Sequence, residues 1–231
     1  MDLKLKLNHI ADHFTEIAFE DDISDQLLNK RLQLIEGVQT EFSKEIKELR
    51  SGYKTICIHW MEKPEMAALV NYLENFDISA QTENLKTWQI PVCYDESLGT
   101  DLQSLAESKN LSTAQIIDLH SSATYKLHFF GFLPGFMYLS GLDPILATPR
   151  KKFPERSVMA GSVAIGGDQT GIYPSSSPGG WHIIGRTPIS SFDAKAEKTV
   201  WANPGDSIQF KAISLIEFEK LSSSESNPIL L

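Results

Sequence analysis

The chain has 231 residues, of which 42% are hydrophobic and 22% charged, and its formal net charge is −9. That composition supports a packed core and excludes a disordered chain, in a length that suits one large domain or two modest ones. There is no apolar run near the ~20 residues needed to span a bilayer, no basic stripe for nucleic acid, and no apolar block of a signal peptide in MDLKLKLNHIADH, so a cytoplasmic protein with no membrane or nucleic-acid partner is expected.

Residues 1–86 read as alternating strands and helices. Residues 3–19 contain extended stretches ending in Phe14–Phe19. Ser24 then offers an N-cap, with Asp25 in the first turn, where a carboxylate suits the helix dipole. Ile23, Leu27, Leu28, Leu32 and Ile35 make an apolar helical stripe, while residues 38–49 fit helix or strand. Thr55–Trp60 is a strand with Ile56, Ile58 and Trp60 on one face and His59 and Cys57 on the other. Pro64 opens a helix that carries Met66, Leu69, Val70 and Leu73, and Trp88–Cys93 closes the set. The resulting β-α-β-β-α-β order is a ferredoxin-like pattern, so the fold class expected is α+β. Cys57 and Cys93 lie far apart in strand-like stretches, form no CxxC unit, and are expected to be buried thiols outside any metal ligand set.

Two capped helices follow, since Thr100-Asp101-Leu102-Gln103 and Ser112-Thr113-Ala114-Gln115 both have the capping-box form. The second turns Ile116 and Ile117 inward and ends near His120. After Tyr125 the composition changes. Glycines and prolines concentrate between Gly131 and Gly185, and short apolar runs alternate with turn signals: Ser162–Ile165, Gly171–Tyr173, Trp181–Ile184, Ile189–Phe192 and Ile208–Ile213. Asn203-Pro204-Gly205-Asp206 fits a type II turn. Short strands at this spacing indicate a sandwich or closed barrel over residues 87–221, and the polar-then-apolar segment 222–231 is expected to be a flexible tail.

Four stretches carry more than turns: Gly131–Leu139, Ala160–Gly167, Gln169–Pro174 and Ser177–Pro188. Pro-Gly pairs fix sharp loops, and glycines such as Gly179 and Gly180 let backbone approach a ligand closely. Phe132, Phe136, Tyr138, Tyr173 and Trp181 can wall a pocket beside them, and Arg150, Arg156 and Arg186 supply fixed positive charge for a carboxylate or phosphate. The competing reading makes the glycines and prolines barrel corners and the aromatics core.

GFLPGFMYLSGLDPILATPR, followed by AGSVAIGGDQTGIYPSSSPGGWHIIGRTP, closely resembles the family of the 5-oxoprolinase B subunits, which also holds the KipI-type inhibitors of sporulation histidine kinases and the allophanate hydrolase subunit 1 proteins. His120–Tyr125, the IPVCY run at Ile90–Tyr94 and Pro204-Gly205-Asp206 share the likeness. Met159, where the family usually has proline, the run Phe153-Pro154-Glu155-Arg156, and His182, where the family often has glutamine, depart from it. The resemblance implies a cyclophilin-like β-barrel behind a ferredoxin-like domain, and a complex with the C and A subunits of an ATP-dependent 5-oxoprolinase. In that complex the B and C subunits use ATP, as co-substrate, to phosphorylate the lactam oxygen of 5-oxo-L-proline, and the A subunit completes hydrolysis to L-glutamate.

Phosphorylation turns the lactam oxygen into a leaving group, and the site must hold the negative charge that develops. Arg150, Arg156 and Arg186 are then the candidate substrate or phosphate contacts, with Ser162 and its neighbouring glycines as backbone donors. His120 and Tyr125 are candidate polar members of the same pocket, and Gln169 lies in a motif that frames it. His120 ends a helix and Tyr125 alternates with Leu127 and Phe129, so a packing role competes for both. His9, His13 and His128 are expected to be solvated. No GxxxxGK[ST] run is present, so the chain alone is expected to be inactive. The reading from another class is a binding protein that docks on a sensor histidine kinase and blocks its autophosphorylation. A peptidyl-prolyl isomerase is weaker, since a shared barrel transfers no chemistry.

Overall fold

A computed structural model describes residues 4–78, 85–224 and 227–231. The chain divides into two units, Met1–Asn84 and Leu85–Leu231, each with its own hydrophobic core.

In the first unit β1 (Leu5–Ala11) and β2 (Phe14–Phe19) form a hairpin, α1 (Asp25–Glu41) follows, β3 (Ile46–Ser51) and β4 (Thr55–Trp60) form a second hairpin, and α2 (Met66–Glu74) ends the unit. The four strands make an antiparallel sheet in the order β1-β2-β4-β3. The order is therefore β-β-α-β-β-α and not the expected β-α-β-β-α-β. Two things account for the difference. Asp12-His13 is a turn that splits the first extended stretch in two, and Trp88–Cys93 belongs to the second unit, where Ile90, Val92 and Cys93 are buried.

Ser24 caps α1 as expected, its Oγ accepting the Leu27 N–H at 3.2 Å. The buried stripe runs through Leu27, Arg31, Leu34 and Val38, while Ile23 is exposed and Leu32 and Ile35 are half-buried. The alternation of β4 holds: Ile56, Ile58 and Trp60 are buried, and the Trp60 indole donates to Thr15 Oγ1 at 3.0 Å. Cys93 is buried as expected, whereas Cys57 is half-buried.

The second unit is a closed barrel. Its strands are β5 (Thr87–Cys93), β6 (Thr124–Phe130), β7 (Met137–Ser140), β9 (Ser162–Gly166), β10 (Gln169–Ile172), β12 (His182–Arg186) and β13 (Ser207–Ile213), and β8 (Glu155–Val158) pairs with β11 (Ser177–Gly179) in a small separate sheet. Seven strands run β12-β9-β10-β7-β6-β13-β5, and Arg186 pairing with Cys93 joins β5 back to β12. The barrel fits the cyclophilin-like expectation. Ile90, Val92, Leu127, Leu139, Val163, Ile165, Ile184 and Ile208 fill it, and α3 (Leu102–Lys109) and α4 (Thr113–Ser122) add Leu102, Leu105 and Ile116 to that core. Among the described residues no helix is long and apolar enough to cross a membrane.

Local chemistry explains where the expectations held and failed. Ser112 and Gln115 form the expected capping box. The other box is absent: Asp101 is the N-cap of α3 without a side-chain cap bond, because its carboxylate accepts instead from Lys151 Nζ (2.7 Å) and the Ile183 N–H (2.6 Å). His128 is 1% exposed, not solvated, and bonds Ser140 Oγ at 2.8 Å. A register shift between Leu127 and Phe129 breaks the two-residue period, so neighbours Leu127 and His128 are both buried. The run Ile189–Phe192 forms no strand, although Ile189 is buried in the core. The segment expected as a flexible tail contains the end of α5 (Leu215–Ser222) and β14 (Ile229–Leu230), which pairs with Gln89 and Trp88 of β5.

The 203–206 turn closes with the Asp206 N–H donating to Asn203 O at 3.0 Å, and Gly205 has φ +96°. Asp206 is 1% exposed, and its carboxylate accepts from the Lys86 and Asn203 N–H groups (3.0 and 2.9 Å) and the Trp88 indole (2.8 Å). It ties the start of β5 to the start of β13. Asp206→Ala leaves three donors without their acceptor, and a loss of about 3 kcal/mol is expected in urea unfolding at pH 7. A loss below about 1 kcal/mol would show that water replaces the carboxylate.

Candidate functional site

The second unit carries a cavity of about 310 Å³ whose walls are aromatic. Phe132 and Phe136 come from the loop between β6 and β7, Tyr138 from β7, Tyr173 from the end of β10, and Trp181 from the residue before β12. Phe136 is the hub, with ring centroids 5.6 Å from Phe132, 4.8 Å from Tyr138, 5.0 Å from Tyr173 and 5.4 Å from Trp181. Glycines make room for this cluster: a Cβ at Gly166 would lie 2.5 Å from the Trp181 ring, and one at Gly179 would lie 2.4 Å from the Tyr173 hydroxyl. Phe136, Tyr173 and Trp181 are buried, whereas Phe132 is 60% exposed at the rim with φ +66°. A bulky residue in the left-handed region is held there at a cost, here by a loop in which Leu133 N–H bonds Gly131 O (2.7 Å) and Phe136 N–H bonds Leu133 O (3.0 Å).

Arg150, Lys151, Pro154, Pro178 and Gly180 complete the lining. The two cations differ in what they can offer. Lys151 is held by both oxygens of Asp101 at 2.7 Å and by Glu155, so its charge is compensated. Burial pulls its ammonium pKa down, but the bonds from Asp101 and Glu155 outweigh burial and the net shift is upward. Arg150 is exposed, pairs with no carboxylate among the described residues, and sits with its guanidinium carbon 5.5 Å from the Trp181 ring centroid. Among the described residues, the cavity is thus an aromatic cup with one available positive charge at its edge. Burial raises the pKa of Tyr138 and Tyr173 against the opposing pull of Arg150, so both phenols stay neutral at pH 7. Such a cup takes a small ring or planar group that carries an anion.

Of the residues singled out from sequence, Arg150, Phe132, Phe136, Tyr138, Tyr173, Gly179, Gly180 and Trp181 come together here. The rest do not. His120 is fully buried in the barrel, stacked on Phe210 at 4.8 Å, with Nδ1 on the Tyr94 hydroxyl (2.8 Å) and Nε2 on Thr170 Oγ1 (2.9 Å). Burial depresses its pKa from 6.5 to about 3. Tyr125 is equally buried and donates to His120 O at 2.8 Å. Both pack: α4 carries its last turn, with His120, into the core, and β6 turns Tyr125 inward. Ser162 lies on β9, where its N–H donates to Met159 O and the Gly161 N–H donates to Tyr173 O, so neither is a spare backbone donor. Gln169 lies on β10 opposite Gly166, outside the cavity. Arg156 is exposed on β8 and also outside it. Arg186 lines a separate cavity that shares Tyr173 with the first. Lys151 and its partner Asp101 were missed by sequence reasoning. No spacing pointed to either: Lys151 and Glu155 stand four residues apart, but that spacing brings side chains together on a helix and residues 151–154 form none, and Asp101 is 50 residues away.

Comparison with known proteins adds identity to this geometry. The 5-oxoprolinase B subunit of Bacillus subtilis is 42% identical over 131 residues, covering 57% of this chain and 55% of that protein. The 5-oxoprolinase B subunit of Escherichia coli O157:H7 is 48% identical over 122 residues, covering 53% of this chain and 56% of that protein. The crystal structure of a conserved uncharacterized protein from Pyrococcus horikoshii matches at 36% identity with a TM-score of 0.57, over 92% of this chain and all of that one. The chain spans about half the length of the curated relatives it matches. The sequence profile described as "Carboxyltransferase domain, subdomain C and D" matches residues 5–202, and the chain belongs to that family.

Proposed function

We propose that this chain is the B-type subunit of an ATP-dependent 5-oxoprolinase, and that its aromatic cup binds 5-oxo-L-proline through the carboxylate. The observation that carries the reading is the pairing of Arg150, free of any carboxylate partner among the described residues, with the aromatic walls of a 310 Å³ cavity. The names of the relatives support it. A five-membered lactam is flat enough to lie against Phe136 and Trp181, and its carboxylate is the natural partner of a fixed guanidinium. Tyr138 and Tyr173, as neutral phenols, add no competing charge. ATP delivers the phosphoryl group to the lactam oxygen within the complex with the C and A subunits, and water then opens the ring to L-glutamate. This chain's part is to hold the ring and its carboxylate while that happens.

The test is ATP-dependent release of glutamate from 5-oxoproline by the assembled subunits, with and without this chain. No glutamate is expected when it is left out. Arg150→Gln is expected to raise KM for 5-oxoproline about 30-fold with a much smaller change in kcat, because the carboxylate is gripped equally in ground and transition states. An unchanged KM would remove Arg150 from the substrate site. Full activity without the chain, with all subunits folded, would shift the reading to the inhibitor of a sensor histidine kinase.

A further inference from the structure

Tyr173 separates the aromatic cup from a second cavity of about 260 Å³, which has a different character. Arg186, Thr187 and Ser191 line it, with Phe218 on one side, and no Asp or Glu takes part in its lining among the described residues. The Arg186 Nε–H donates to Ala160 O at 2.7 Å and the guanidinium carbon lies 5.8 Å from the Phe218 ring centroid. The group is thereby pinned, and its terminal nitrogens meet no carboxylate among the described residues. Thr187 Oγ1 accepts the Ile189 N–H at 3.1 Å, which leaves its own hydrogen to donate. Ser191 is 2% exposed, and its Oγ has no hydrogen-bond partner among the described residues. A buried hydroxyl in that state is destabilising unless something else satisfies it. Ser190 offers no donor, since its hydroxyl is committed to Phe192 O at 2.9 Å.

We infer that this second cavity is a phosphate-type anion site, in which Arg186 supplies the charge and Thr187 and Ser191 supply hydroxyl donors. A fixed guanidinium with two hydroxyls suits the several oxygens of a tetrahedral anion better than the two of a carboxylate. The volume lies below the roughly 300–1,000 Å³ of ordinary ligand pockets, so it accepts a phosphoryl group and not a whole nucleotide. The inference goes beyond lactam binding at the cup, and it is tested on the full chain alone, so its failure and that of the oxoprolinase reading are separately visible.

Isothermal titration of the chain with inorganic phosphate is expected to give saturable binding at one site. Arg186→Gln weakens it at least about tenfold, Arg186→Lys weakens it less, and Arg150→Gln leaves it unchanged. Ser191→Ala weakens it about threefold without lowering the thermal midpoint, which separates a ligand-binding hydroxyl from a structural one. Repeating the titration with ADP identifies the source of the anion. Competition between ADP and phosphate assigns the site to a nucleotide's phosphoryl group, and phosphate binding untouched by ADP assigns it to free phosphate. No saturable binding of either by the folded chain, or phosphate affinity that survives Arg186→Gln, would overturn the inference.

Discussion

Replacing Gly161 with alanine is expected to cost about 4 kcal/mol of folding stability, a drop of about 8–16 °C in the thermal midpoint for a chain of this size. Two penalties combine. Gly161 has φ +80°, a region that costs an L-residue about 1–2 kcal/mol, and an added Cβ would lie 2.4 Å from the carbonyl oxygen of Thr187. That oxygen is backbone, so the neighbouring segment must move as a whole. Movement disturbs the bonds that fix the crossing, the Thr187 N–H to Gly161 O at 2.9 Å and the Gly161 N–H to Tyr173 O at 2.7 Å. Gly167 provides the comparison, since its φ is +70° but nothing lies within 4 Å of the added carbon. Gly167→Ala should lose only about 1–2 kcal/mol in the same melt. Equal losses at both sites would show that φ alone decides, and that the 161–187 crossing yields.

The second large effect is acid destabilisation through His120. Its hydrogen bonds fix its state: the Thr170 hydroxyl donates to Ala164 O at 3.0 Å, so it accepts from a protonated His120 Nε2, and Nδ1 accepts from the Tyr94 hydroxyl. The ring is neutral, and adding a proton would place a second donor against the Tyr94 hydroxyl inside an apolar core. With the folded pKa near 3 and the unfolded one near 6.5, the unfolded chain takes up the proton first as pH falls. Stability is therefore undiminished above about pH 6.5 and declines between about pH 6.5 and pH 3, by up to about 1.4 kcal/mol per pH unit. Urea unfolding at pH 7, 6, 5 and 4 checks it against His120→Gln. The variant is less stable at pH 7 but should lose less per pH unit, the difference approaching about 1.4 kcal/mol. Carboxylates titrate alike in both proteins, so parallel slopes would mean that His120 is not the group responsible.

His120 also illustrates what a sequence conceals. A histidine beside Tyr125 at the edge of a family-specific run looks like a polar pair in a pocket, and burial is what makes it a core residue. The aromatic cup was legible because Gly-Pro loops and clustered rings sit within one stretch of chain, from Phe132 to Trp181. The arginines were legible as charges but not as places. Arg150 and Arg186 fall into different cavities because the barrel separates residues that spacing cannot. Local rules held where nothing competed with them, as in the Ser24 cap and the Ser112–Gln115 box. They failed where tertiary demand was stronger: Asp101 gave up its cap to bind Lys151, the shift at His128 broke an alternation, and β5 joined the barrel because Ile90 and Val92 fill its interior.

The route of β5 also sets a time scale for making the protein. Its long partner is β13, paired in parallel from Thr87↔Ser207 onward, 120 residues later in the chain. Ribosomes add about 5–20 residues per second, so β5 waits about 6–24 s for that partner, and the edge of β6 that β13 covers is bare for about 4–16 s. Two apolar strand edges open on that scale can pair with other nascent chains. Barrel closure therefore has to wait until Ser207–Ile213 has been made, and until then both strand edges stay open to pairing with other chains.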